Sequence, residues 1–217
     1  MLDNPEARVG PAGETASWER TVLRRQFLDL LERRRSVTPL RLCEPGPNSE
    51  ELRRMLTIAT RVPDHGALEP WRIIVVRGRA RQELGDRLAA AFLESNADEV
   101  TATEDLAVRK IKAVFTAAPL ILIVVSCADS SARVPEWEQV LSSGAVCMNL
   151  MTAASVLGYG STWLSGWAAY HPAALRLLGL QSHEKVAGVI PIGTIVELPE
   201  DRVRPSVEKI VTLWGTK

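Results

Sequence analysis

The chain has 217 residues, 46% of them apolar, enough for a substantial core and too many for wholesale disorder. Lysine plus arginine and aspartate plus glutamate number 26 each, so the net charge is zero and no global basic surplus points to nucleic acid or an anionic membrane. Cys43, Cys127 and Cys147, like His65, His171 and His183, are scattered without disulfide, CxxC or metal-ligand spacing, so a reducing cytoplasm and no bound metal are expected.

Residues 1–16 hold two prolines, two glycines and few apolar side chains, and read as a loose arm without a secretory signal. Residues 17–217 read as one domain. Ser17 is placed to cap a helix running from Glu19 to Arg35, with Leu23, Phe27, Leu30 and Leu31 on one face. The helix closes on Arg33-Arg34-Arg35-Ser36. A cationic last turn suits the helix dipole; adjacent guanidinium groups beside a hydroxyl also suit a phosphate, which they grip in bidentate fashion.

Three prolines make residues 37–47 a connection. Asn48 stands three before Glu51, a capping arrangement, and Leu52, Met55, Leu56 and Ala59 then recur at helical spacing. Pro63 stops that helix beyond Val62. The turn Ala59–Trp71 therefore displays Arg61, Asp64 and His65 between two rigid elements, a place where binding groups collect. Ile73–Val76 reads as a strand, Ala80–Asn96 and Asp105–Thr116 as helices, and the acidic stretch 97–104 as mobile. The unbroken apolar run at 120–125 reads as a strand buried on both faces.

Trp137–Gly158 is long enough to span a bilayer, but Glu138, Ser142, Ser143, Asn149, Thr152 and Ser155 interrupt it. A buried central helix is the simpler reading, and its small residues suit close packing at a homodimer interface. Residues 161–165 read as a short strand, 171–179 as a short helix with a glycine stop, and 187–196 as a strand whose Pro191 suggests an edge or a bulge. Arg202 and Arg204 alternate in the tail, and Val207–Trp214 reads as a closing strand.

Three motifs, R-R-S at 34–36, R-V-P-D-H-G-A-L-E-P-W at 61–71 and W-L-S-G at 163–166, together resemble the nitroreductase family, in particular its short single-domain bacterial branch of NAD(P)H nitroreductases. The resemblance runs from about Leu23 to Trp214. It implies an α+β fold with a central mixed sheet flanked by helices, in an intertwined homodimer that holds FMN at each of two subunit boundaries. Arg34, Arg35 and Ser36 then contact the FMN phosphate and flavin edge. Arg61 and His65 line the flavin from the partner subunit, and Trp163, Leu164 and Ser165 run along the ring. Arg202 and Arg204 match a basic pair that holds the phosphate in more distant relatives.

Many family members carry Asn and Gln where this chain has Ala67 and Glu69, and larger relatives carry Glu where it has Ser165. Leu164 replaces a side chain that is charged in some close relatives. The resemblance implies ping-pong turnover in the cytoplasm: NADH or NADPH reduces the flavin at N5, and a small acceptor such as a nitroaromatic or quinone follows, with no side-chain nucleophile. A dehalogenase, a flavin-destroying synthase and a flavin-binding protein without turnover are the competing readings. A Ser-His-Asp hydrolase is disfavoured, since Asp64 adjoins His65 and no G-x-S-x-G elbow exists.

Overall fold

The computed structural model describes residues 12–96 and 102–215. The chain divides into two compact units, the first ending at Arg34 and the second beginning at Arg35. The first is described over one helix, α1 (Ala12–Arg33), which starts ahead of Ser17. Residues 1–11 of the expected arm lie outside the described residues, and 12–16 are helical. Leu23, Phe27 and Leu31 are exposed along one face of α1.

The second unit is built on a sheet of five strands. These are β1 (Leu42–Cys43), β2 (Trp71–Arg77), β3 (Leu120–Ser126), β4 (Gly160–Ser161) and β5 (Lys185–Ile195). Their order is β1-β5-β3-β2, with β4 also paired to β5. Every pairing is antiparallel, which corrects the central mixed sheet implied by the resemblance, while the α+β class stands. The connections explain it. Between β2 and β3 the chain makes two helices, α3 (Arg79–Ser95) and α4 (Ala102–Thr116), and returns to the end of the sheet it left. The single long helix α5 (Glu136–Val156) instead crosses the sheet, so β3 and β4 flank β5 on opposite sides and run the same way.

Side chains of β3 alternate between two cores, as a strand covered on both faces requires. Leu120, Leu122 and Val124 pack with α5 and with α2 (Ser49–Ala59). Ile121, Ile123 and Val125 pack with α3, α4, α6 (Trp167–Tyr170) and α7 (Pro172–Leu177). Asn48 caps α2 as expected. Its side chain accepts from Glu50 and Glu51 N–H at 2.9 Å, and the Glu51 carboxylate accepts from Asn48 N–H at 2.9 Å.

Other boundaries moved little. Residues 97–101 of the acidic stretch lie outside the described residues, while 102–104 open α4. The closing strand did not form: Val207–Ile210 is a short helix, α8, and Val207, Ile210, Val211, Leu213 and Trp214 are exposed. Among the described residues no helix is long and apolar enough to cross a membrane.

Candidate functional site

The W-L-S stretch is seated on β5. Gly160 pairs with Gly193, Ser161 with Ile192 and, farther along, Leu164 with Val189. These pairs share one register, so Leu164 continues the line of β4. The interruption falls where Pro191 would stand opposite Thr162, because proline has no N–H to donate to the ladder. Pro191 therefore marks neither a sheet edge nor a bulge but a break in an interior ladder. The bulge is nearby: between β3 and β5 the register shifts after Val124↔Gly188 to Val125↔Val186, leaving Ala187 unpaired.

That bulge holds Trp163. Its indole N–H donates to Ala187 C=O at 3.0 Å, and its ring lies so close to Gly188 that a Cβ there would collide with it. Leu164 exchanges both backbone bonds with Val189 at 2.9 Å. In extended chain the next N–H points the opposite way, so the Ser165 amide faces away from β5.

The R-R-S stretch reaches the same region. Val37 N–H donates to Ser161 C=O at 2.9 Å, which ties the residue after Ser36 to the strand leading into Trp163. Arg34 is the last residue of the first unit, its N–H bonded to Leu30 C=O at 2.9 Å. Arg35 is the first of the second unit. Its Nη1 is buried without a hydrogen bond among the described residues and lies 3.8 Å from the Asp201 carboxylate. Asp201 also lies 4.0 Å from Arg204, so one exposed carboxylate stands between two guanidinium groups. Arg202 is exposed, with its N–H turned to Asp201 at 2.8 Å.

Arg61 and His65 sit apart from these, on the turn between α2 and β2. Both are exposed and lean on α5. Arg61 C=O accepts from Asn149 at 3.1 Å, and His65 Nδ1 lies 2.8 Å from Glu138. The turn is held by a residue whose role was not foreseen. The Asp64 carboxylate accepts from Leu68 N–H at 3.1 Å and Glu69 N–H at 2.9 Å. From α5, Ser142 binds Pro63 C=O at 2.6 Å and Ser143 binds Pro70 C=O at 3.0 Å. These bonds hold Ala67 and Glu69 at φ of +51° and +48°, a left-handed conformation that costs an L-residue about 1–2 kcal/mol. Asp64 reaches N–H groups four and five residues on, a longer span than an Asx-turn, so no local turn signature announced it. Nothing in the sequence announced Gly188 or Asp201.

The geometry defines an open α+β sheet with an interrupted strand that carries Trp163 and Leu164 and is tied to Val37. Comparison with known proteins identifies the class. The pattern of the Nitroreductase family matches residues 31–194. The chain is 34% identical over 167 residues to the Escherichia coli strain K12 protein named "Putative NAD(P)H nitroreductase YdjA", covering 77% of this chain and 87% of that one. In structure it resembles the nitroreductase-like family protein from Bacillus cereus, with a TM-score of 0.72 at 22% identity over 88% of this chain and 96% of that one. It also resembles the FMN and NADPH-dependent nitroreductase NfnB from Sphigopyxis sp. strain HMH, with a TM-score of 0.67 at 20% identity over 88% and 99% of the two chains. The chain belongs to the nitroreductase family and is an oxidoreductase.

Proposed function

We propose that this protein is a homodimeric, FMN-dependent oxidoreductase that takes electrons from NADH or NADPH and delivers them to a small acceptor such as a nitroaromatic or quinone. The observation that carries the reading is Arg35: a buried guanidinium nitrogen without a hydrogen bond, next in sequence to a segment tied to the W-L-S strand. A buried charged donor whose one partner is an exposed carboxylate 3.8 Å away lacks a hydrogen bond worth about 1–3 kcal/mol, and a phosphate oxygen would supply it. The residues present therefore fit FMN.

Arg34, Arg35 and Ser36 would hold its phosphate, with Arg202 and Arg204 lending positive charge. Trp163, Leu164 and Ser165 would run along the ring, with the Ser165 amide free to donate to a flavin nitrogen. Arg61 and His65 would come from the partner subunit. Bound FMN supplies the hydride chemistry, alternating between nicotinamide and acceptor. The nicotinamide loses two electrons and a proton; the acceptor gains both, with a further proton from solvent. The chain's part is to bind, orient and exclude water. No side chain is asked to act as nucleophile.

The dimer is supported by what the chain leaves uncovered. Trp137, Leu141, Met148 and Val156 form an exposed apolar stripe down α5, and α1 and the C-terminal tail expose further apolar side chains. A reducing, cytoplasmic setting is supported by Cys43, Cys127 and Cys147, all unpaired thiols.

The test is direct. Purified protein should be yellow, bleach anaerobically with NADH or NADPH and recover its colour on adding a nitroaromatic. Arg35→Ala should weaken FMN binding by about tenfold or more through loss of a charge-assisted contact. A colourless protein that takes up no added FMN, or unchanged affinity in Arg35→Ala, would overturn the assignment.

A further inference from the structure

On the α4 side of the sheet lies a cavity of about 310 Å³ that shares Leu164 and Ser165 with the proposed flavin site. Its floor is Leu164 and Val189, the backbone-paired residues at the end of the W-L-S strand. One wall is α4, where Ala107, Lys110, Ile111 and Val114 recur at i, i+3, i+4 and i+7 and so share a face. The other wall is Trp167, braced edge-on by Phe92 at 5.3 Å and stacked on His171 at 4.7 Å. Ser165 opens onto the same space.

Two properties limit what fits. The volume is at the small end of ligand pockets, room for one substituted aromatic ring and not for a flavin or dinucleotide. Among the described residues the lining is apolar except for Ser165 and Lys110, and Lys110 is its only charged side chain. Its neighbours are neutralised, Arg109 by Asp105 and Lys112 by Asp86, each at 2.9 Å. Lys110 has no ion-pair partner among the described residues. An apolar slot with one ammonium that has no ion pair among the described residues favours a flat ring bearing an anion. The ring takes the walls, and the anionic substituent meets the charge.

We propose that this cavity seats the electron acceptor and that Lys110 selects single-ring aromatic acceptors carrying an anionic substituent, such as a carboxylate, over neutral ones. The inference rests on the proposed function, because the cavity matters to catalysis only if Leu164 and Ser165 border the flavin. Lys110 acts as a specificity residue and takes no part in electron transfer.

The experiment compares 4-nitrobenzoate with nitrobenzene in the holoenzyme, and measures benzoate binding by calorimetry as a readout without turnover. Lys110 is exposed, so its replacement leaves the core untouched. Lys110→Met should lower kcat/KM for 4-nitrobenzoate about fivefold to tenfold more than that for nitrobenzene and weaken benzoate by a similar factor, the loss of one charge-assisted contact. Lys110→Glu should reverse the preference. Equal effects on both acceptors, or none on either, would overturn this proposal while leaving the oxidoreductase reading intact. Lys110-dependent benzoate binding in a protein that neither holds FMN nor oxidises NAD(P)H would support the cavity and sink the proposed function.

Discussion

Glu184 offers a sharp test of what fastens the helical layer behind the cavity to the sheet. It stands at the turn from α7 into β5, and its side chain is only 6% exposed. Arg72, on β2, grips it with two bonds: Nε to Oε1 at 2.6 Å and Nη2 to Oε2 at 2.7 Å. Gln181 N–H adds a third at 2.8 Å, and the Cys127 thiol donates to Oε1 at 3.4 Å. Arg72 first, outweighing burial and helped by Gln181 and Cys127, holds the Glu184 carboxyl down at about 2. An ordinary glutamate titrates near 4.3. The folded value is the lower one, so the carboxylate stabilises the fold fully above about pH 5. That stabilisation is lost as pH falls from there through about 2. The difference corresponds to about 3 kcal/mol, and screening at Arg72, whose side chain is 39% exposed, reduces it to about 2. About half remains at pH 3. Glu184→Gln should therefore unfold about 4–8 °C lower at neutral pH, and the gap to wild type should narrow towards pH 3. Urea titrations of both proteins at pH 7, 5 and 3 measure this. A gap of equal size at pH 7 and pH 3 would show that shape, not charge, holds the turn.

Three further outcomes are expected. Gly188→Ala should cost about 1–3 kcal/mol and shift Trp163 fluorescence, because the added methyl collides with the indole; an unshifted spectrum at full stability would contradict the packing. Ala67→Gly should stabilise by about 0.4–1 kcal/mol, since φ of +51° strains alanine, and a lower melting temperature would mean the strain is not there. Leu141→Glu, which puts a charge on the exposed α5 stripe, should convert a dimer to monomers in sedimentation; a wild-type monomer would remove the basis for the partner's share of the site.

Elements with a local cause were legible in the sequence. The α2 cap needs only Asn48 and Glu51 three residues apart, and the double-faced burial of β3 follows from an unbroken apolar run. Features with a non-local cause were not. A helical hairpin between β2 and β3 sets the strand direction, yet periodicity cannot say whether two helices fold back on each other. The tail from Val207 to Trp214 has a strand's composition, but a strand needs a partner edge, and within one chain it remains a short helix with exposed apolar residues. Of the site, the arginines and the W-L-S-G motif were visible as residues. Val37 bonding to Ser161, which brings the R-R-S end to that strand, was not.

What leaves the W-L-S stretch only partly paired is a pair of defects in β5 that act in sequence. A regular strand would consume each inward N–H and C=O of its neighbour and cover its own face with side chains. Here Pro191 breaks the ladder opposite Thr162, so the flanking chain pairs with β5 at Gly160 and Ser161 and again at Leu164. The bulge at Ala187 then exposes a carbonyl, and Gly188 beside it leaves a bare backbone surface. Trp163 fills both vacancies with one indole, which fixes the strand without further backbone pairing. The chain is thus anchored by Trp163 and Leu164 on opposite faces of the sheet, and Ser165 is the first residue past them, its N–H turned outward. Changing Pro191 to a residue with an N–H should let the ladder close and hold this stretch more rigidly. Slower hydrogen exchange at 162–165 in Pro191→Ala would support that account. Unchanged exchange there would mean the break has another cause.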